Sequence, residues 1–292
     1  MIELLSPAGS PEAVIAAVQN GADAVYLGLG GFNARRGAKN FTDEEFEKAV
    51  RYCHVRGCKV HVALNTLVDD RELESALTTA KLASDVGADA LIVQDLGLVK
   101  AIRHSLPDIP IHASTQMSIH NLAGVEAAAE LGVTRAVLAR ELSFEQIKFI
   151  TKNASIETEI FVHGALCFCH SGQCYMSALI GRRSGNRGMC AQPCRMQYSL
   201  GGRMDDYPLS LKDNCLVQYL DEIEQAGVAC LKIEGRMKRP EYTAIVTGIY
   251  SKALREHRQP TPEEMAALEK AFSSQIPPEV YEELERQMEA AK

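Results

Sequence analysis

The sequence predicts an α/β fold: a (β/α)8 TIM-like barrel with a cysteine-rich insertion after its seventh strand and a helical appendage at its C-terminal end. Three observations predict it. Short β-rich runs alternate with amphipathic helical segments eight times before residue 258, the pattern of a parallel sheet wrapped by helices. A weak repeat, Gly21-Ala22-Asp23-Ala24-Val25-Tyr26-Leu27-Gly28, returns as Gly87-Ala88-Asp89-Ala90-Leu91-Ile92-Val93-Gln94, with echoes at 132–141 and 227–235. Finally, no G-x-G-x-x-G follows the first run, where Pro7-Ala8-Gly9-Ser10 stands instead, so an open dinucleotide-binding sheet fits less well.

The strands are expected at 2–8, 24–29, 59–66, 90–95, 109–116, 136–141, 158–164 and 228–235. Helical periodicity marks 10–20, 43–56, 70–86, 96–106, 122–131 and 143–151, several opened by Ser or Asp at an N-cap position. In each repeat the glycine ends a helix in a left-handed cap and a short turn feeds a buried strand. The barrel should span 1–258, including the insertion at 165–227. A tail at 259–292, broken at Pro260, Pro262, Pro277 and Pro278, should add a charged helix over 280–291 and pack outside the barrel or mediate assembly.

A barrel gathers its chemistry where the strands end in their C-terminal direction. Ser6, Asn65, Gln94, Asp95, Ser114, Gln116, Arg140, Glu141, His163, Glu234 and Arg236 all close apolar runs. Turn chemistry explains any one of them, but not a polar group at nearly every strand end. Glu159, His163, Glu234 and Arg236 are the candidates for moving protons or holding a reacting group. Ser6, Asn65, Gln94, Gln116 and Arg140 are candidates for binding substrate.

The seventh connection, 164 to 228, is about twice the length a barrel unit needs. It carries Cys167, Cys169, Cys174, Cys190 and Cys194, and Cys230 lies on the eighth strand beside it. Four thiolates from this set would ligate a [4Fe–4S] cluster or a structural zinc, and the lack of paired C-x2-C knuckles leans toward the cluster. Spacing alone does not choose the four. Cys53, Cys58 and Cys215 are isolated and read as small core residues.

Composition bounds the rest. A chain of 292 residues, 46% hydrophobic and 24% charged, has the makings of a sizeable core. No charged leader precedes an apolar stretch and no run of about 18 apolar residues occurs, so a soluble cytoplasmic protein with no membrane partner is expected. The net charge of −7 argues against a wholly basic nucleic-acid surface. It leaves room for a local rim of Arg182, Arg183, Arg187, Arg195, Arg203, Arg236, Lys238 and Arg239, suited to RNA phosphates or an anionic small molecule, or serving only as a solvated loop. Neither H-E-x-x-H nor G-x-S-x-G is present; a thiol protease would have to improvise from Cys169, His170 and His163.

Glu159-x-Phe161-x-x-Gly164-Ala165-Leu166-Cys167-x4-Gly172-x-Cys174-x-Met176-Ser177 resembles the signature of the collagenase-like peptidase family U-32. Leu5-Ser6-Pro7-Ala8-Gly9 and Leu231-Lys232-Ile233-Glu234-Gly235-Arg236 resemble its other landmarks, and the likeness covers about residues 1–255. It implies a barrel and, by match to the family's pattern, a [4Fe–4S] cluster on Cys167, Cys174, Cys190 and Cys230. It further implies either proteolysis of a peptide or oxygen-independent hydroxylation of a pyrimidine in ribosomal or transfer RNA, with prephenate as hydroxyl donor. The ribosomal 5-hydroxycytidine branch is the most similar, although its members usually run longer than this chain. Some members act as heterodimers, so a dimer or a partner-subunit role also follows from the resemblance.

Overall fold

The computed structural model describes residues 2–34, 40–201, 203–205 and 207–272. Eight parallel strands close into a barrel: β1 (Glu3–Pro7), β2 (Ala24–Gly28), β3 (Lys59–Leu64), β4 (Ala90–Val93), β5 (Ile111–Ala113), β6 (Arg135–Val137) and β7 (Glu157–Gly164), with β11 (Cys230–Ile233) in the eighth place. Between these last two the chain adds a hairpin of β8 (Tyr198–Leu200) and β9 (Arg203–Asp205), and β10 (Asn214–Cys215), which runs antiparallel to β7. The ring closes because β6 pairs with β7, β7 with β11 and β11 with β1. All eight expected strands are present. The fifth is shorter than its pattern because the Ser114 hydroxyl accepts from the Gln116 amide and turns 115–117 into a 3-10 helix. Nothing in the sequence pattern announced the hairpin or β10.

The outer helices are α1 (Pro11–Gln19), α2 (Asp43–His54), α3 (Leu73–Val86), α4 (Leu96–Ser105), α5 (Leu122–Glu130) and α6 (Phe144–Asn153), then α7 (Met176–Gly181) in the insertion, α8 (Leu220–Ala226), α9 (Pro240–Glu256) and α10 (Pro262–Phe272). Ser10 and Ser143 cap α1 and α6 through their side chains, as their positions in the sequence foretold, and Asp95 does the same for α4. Helix α2 is capped by Thr42, one residue before Asp43, and α3 starts at Leu73, beyond Asp70. The repeat glycines Gly21, Gly87, Gly132 and Gly227 all have φ between +85° and +106°. There a β-carbon would be strained, which explains why one short motif recurs where helices hand over to strands. Helix α10 lies against α9 with Leu268 and Ala271 buried; the charged helix expected over 280–291 lies outside the described residues. Among the described residues no helix is long and apolar enough to cross a membrane.

The barrel bore departs from the branched aliphatic filling common in this architecture. Its strand-start half holds a charged network in which Arg135 bonds Glu3 at 2.5 Å and Glu157 at 2.7 Å and lies 3.6 Å from Glu159, while Lys59 reaches Glu3 at 2.9 Å. Beside it His61 and His112 meet edge to face, with ring centres 4.9 Å apart. That end of the barrel opens on a cavity of about 620 Å³ lined in part by His61, His112, Arg135 and Glu157.

Candidate active site

At the opposite mouth, polar residues just past the strands form one connected group. Asn65 follows β3, Gln94 follows β4, and Ser114 and Gln116 occupy the turn after β5. The Asn65 side-chain amide reaches the Ser114 hydroxyl at 3.4 Å. Gln116 donates to the Asn65 carbonyl at 3.1 Å, and Gln94 donates to the Gln116 carbonyl at 3.2 Å. Asn186, in the cysteine-rich insertion, then donates to Gln94 Oε1 at 2.7 Å and Gln116 Oε1 at 3.2 Å. Of these, Asn186 is the one that sequence reasoning missed, because an asparagine in a Ser-Gly-Asn-Arg-Gly run reads as a turn residue.

Across the mouth from the amides, cations alternate with aromatic rings. Arg140 sits 5.4 Å from the Phe161 ring centre, Lys232 lies 5.5 Å from that ring and 4.5 Å from Tyr26, and Arg236 lies 5.7 Å from Tyr26. Arg236 is buried and its Nη1 donates to Asn33 Oδ1 at 3.3 Å. The Arg140 Nε is buried without a hydrogen-bond partner, and no described carboxylate lies in ion-pair range of it. A half-buried guanidinium in that condition favours an incoming anion. Lys232, Tyr26 and Phe161 were also missed. The legible signal was the lysine itself, a charge inside the otherwise apolar run Cys230-Leu231-Lys232-Ile233.

Four of the candidate residues lie elsewhere than in open space at the mouth. Ser6 does not face the mouth: its hydroxyl meets Thr247 of α9 at 2.7 Å, behind the sheet. His163 also points outward, its Nδ1 at 3.3 Å from the Tyr250 hydroxyl and its ring 6.1 Å from that of Tyr242, and burial pulls its imidazole down to about 4. A bulge between Lys232 and Ile233, opposite this part of β7, shifts the register there, which a period-2 reading does not foresee. Glu159 is fully buried in the bore, its Oε1 bonded to Lys232 Nζ at 2.7 Å, so it holds a charged floor in place and does not line open space. Cys230 is the first residue of β11, fully buried with Leu5, Ala24, Tyr26 and Ile92. It lies roughly 10 Å below the strand end at the ordinary rise per residue, apart from the other thiols. Glu234 stays at the rim, where its carbonyl accepts from the Tyr242 hydroxyl at 2.7 Å.

The remaining thiols belong to one loop pinned across the mouth. Ser171 is fully buried, with its amide and hydroxyl bonded to Glu141 at 3.2 and 2.9 Å and its carbonyl accepting from Ser118. Arg187 clasps Glu72 and donates to the Leu67 carbonyl at 2.5 Å. Arg195 donates to the Leu166 carbonyl at 2.9 Å and to Ser210 at 2.8 Å. Within this frame burial, followed by the fields of Cys174 and Cys167, pushes the Cys169 thiol up. Burial with Cys167 and then Cys190 does the same for Cys194. The five thiols are therefore electrostatic neighbours. As the side chains stand, no three His, Cys, Asp or Glu groups among the described residues converge tightly enough to cage a metal ion.

Gly172 is the tightest joint of the loop. It has φ +76°, and a β-carbon there would stand 2.3 Å from the Gln116 carbonyl oxygen. Gly172→Ala should therefore lift the loop off the amide group. The expected result is a loss of roughly 2 kcal/mol or more of stability, read by urea unfolding, with faster proteolytic nicking between residues 165 and 195. An unchanged urea midpoint and nicking pattern would show that the loop is not seated on Gln116.

The sequence pattern of peptidase family U32 matches residues 9–289. The chain belongs to this family. It is similar to the 23S rRNA 5-hydroxycytidine synthase of Escherichia coli (strain K12), with 41% identity over 87% of this chain and 39% of the relative. It is likewise similar to a tRNA hydroxylation protein of Bacillus subtilis (strain 168), with 35% identity over 86% of this chain and 63% of the relative. The chain thus spans less than two thirds of either relative's length. Among solved structures, a U32 peptidase superposes with a TM-score of 0.55 at 15% identity, covering 80% of this chain and 94% of the other, which supports the barrel fold.

Proposed function

We propose that this U32 barrel hydroxylates a pyrimidine in ribosomal or transfer RNA, using an iron–sulfur cluster held by the loop over its mouth. The observation that carries the reading is the pairing of two groups at one mouth of the barrel: the amides of Asn65, Gln94, Gln116 and Asn186, and Arg140, Lys232 and Arg236 against aromatic rings. Side-chain amides offer both donors and acceptors, the mixed requirement of a pyrimidine edge, and Tyr26 and Phe161 offer stacking faces. The guanidinium groups suit the carboxylates of a small hydroxyl donor such as prephenate. The names of the two relatives support the RNA substrate.

The donor set fits a cluster, since soft thiolates gathered in one loop are the ligands such groups take. Four of Cys167, Cys169, Cys174, Cys190 and Cys194 would hold it, with Cys230 apart in the bore. When bound, the cluster supplies electron transfer or a Lewis-acid iron beside the pocket. The chain's own residues bind and orient: Arg140 and Arg236 hold anionic groups, the amides fix the base, and Glu159 holds the Lys232 side chain in place at the floor.

Iron and acid-labile sulfide should be measured on protein purified without oxygen. About four irons per chain are expected, falling to almost none in Cys167→Ala/Cys190→Ala and unchanged in Cys230→Ala. Mass spectrometry of nucleosides from RNA incubated with the loaded protein should then show a hydroxylated pyrimidine. Absence of iron in the parent protein overturns the cluster reading and makes peptide cleavage the activity to assay.

A further inference from the structure

The insertion does more than carry thiols. Between residues 165 and 204 it holds five arginines, Arg182, Arg183, Arg187, Arg195 and Arg203, and no carboxylate, on a chain whose net charge is −7. The same segment shows its apolar side chains to solvent. Phe168 is 52% exposed, Tyr175 69%, Leu179 84% and Ile180 69%. Tyr175 precedes α7 and Leu179 lies one turn further on, so they share a face of that helix, and Arg182 and Arg183 follow directly at its end, both exposed. The opposite side of α7 is seated on the loop, where the buried Ser177 hydroxyl accepts from the Ala191 amide at 2.7 Å.

An exposed apolar patch of this kind marks an interaction site, and its charge names the occupant. Arg187 is taken up by Glu72 and Arg195 lies 3.7 Å from Asp213, but Arg182 and Arg183 are exposed and form no ion pair among the described residues. Two exposed cations beside two exposed aromatic rings match a polyanion whose flat bases are open to stacking. Paired RNA hides those faces and offers only its backbone. We infer that α7 and the loop before it form the docking surface for an unpaired RNA loop, with phosphates on Arg182 and Arg183 and bases on Phe168 and Tyr175. Phe168 directly follows Cys167 and Tyr175 directly follows Cys174, so a strand held there lies beside the thiol-bearing loop over the mouth. The inference rests on the RNA reading above and names the structural class of the substrate.

The test is fluorescence anisotropy with two labelled RNAs, a hairpin with an unpaired pyrimidine-rich loop and the same length as a blunt duplex, on the parent chain and on variants that melt at the parent temperature. The hairpin should bind more tightly than the duplex. Arg182→Ala/Arg183→Ala should weaken both RNAs and flatten the salt dependence by roughly 0.7 in logarithmic slope per arginine removed. Tyr175→Ala and Phe168→Ala should each weaken the hairpin by about 5- to 150-fold and leave the duplex nearly unchanged, while Tyr175→Phe should keep the parent affinity. If the parent binds the hairpin and every variant binds it equally well, this docking surface is wrong and the RNA reading stands. If the parent binds neither RNA at low salt, the RNA reading falls and takes the docking surface with it. If the variants instead abolish self-association and leave RNA binding intact, the patch is a protein interface and the inference is overturned.

Discussion

Replacing Glu159 with alanine should cost roughly 3–5 kcal/mol of stability, the ordinary result of removing one partner from a buried ion pair. Glu159 is completely buried and is bonded to Lys232, itself 4% exposed, with Arg135 3.6 Å away. Without the carboxylate, an ammonium group stays in the bore against Tyr26 and Phe161 with no opposite charge to offset its lost hydration. The melting temperature should fall by roughly 10 °C for a domain of this size. The double variant Glu159→Leu/Lys232→Met should recover most of the loss, because an apolar pair of similar volume needs no desolvation. It should not recover the proposed activity, since Lys232 lies against Tyr26 and Phe161 at the floor of the mouth. A single variant that unfolds at the parent urea concentration would show that water reaches the pair and that the bore is wet.

The same residue shows how far the sequence could be read. Glu159 is conspicuous because it is a carboxylate in an apolar strand, and that mark is correct in singling it out. Its partner is 73 positions away and is found only when β7 and β11 pair in register, which local periodicity does not encode. The strands, their order and the serine caps of α1 and α6 were legible because they depend on short-range pattern and on glycine handedness. The side to which a strand-end residue points was not. Ser6 and His163 lie against α9, one by simple alternation and the other near a bulge. The amide group was half legible for the same reason: Asn65, Gln94 and Gln116 end strands, whereas Asn186 arrives from an insertion whose path is set by Arg187, Ser171 and Gly172 holding distant loops.

The largest pH effect should come from histidine. His61, His112 and His163 are 1%, 5% and 2% exposed, and burial draws the first and third down to about 4 and holds His112 well below its ordinary range, with the charges of His61 and Arg135 adding to the effect. Each has a folded value below its unfolded one of about 6.5. The stability tied to their neutral forms is therefore fully present above pH 6.5 and drains away as the pH falls toward 4, because the unfolded chain takes up protons the folded chain refuses. Three such groups give a slope approaching 4 kcal/mol per pH unit in that window, about 6 kcal/mol by pH 5, which exhausts the lower end of an ordinary stability of about 5–15 kcal/mol. Glu3 acts in a lower window. Burial raises its carboxyl, but the fields of His61 and Arg135 and the hydrogen bonds from Arg135 and Lys59 outweigh that and hold it near 2, so its contribution is lost only below about 4.5. Urea midpoints measured between pH 7 and 5 should fall steeply, and His112→Gln should remove about a third of the slope. A midpoint flat across that range would mean that the histidines accept protons inside the fold, through the cavity beside His61 and His112, and that the charged bore rearranges to receive them.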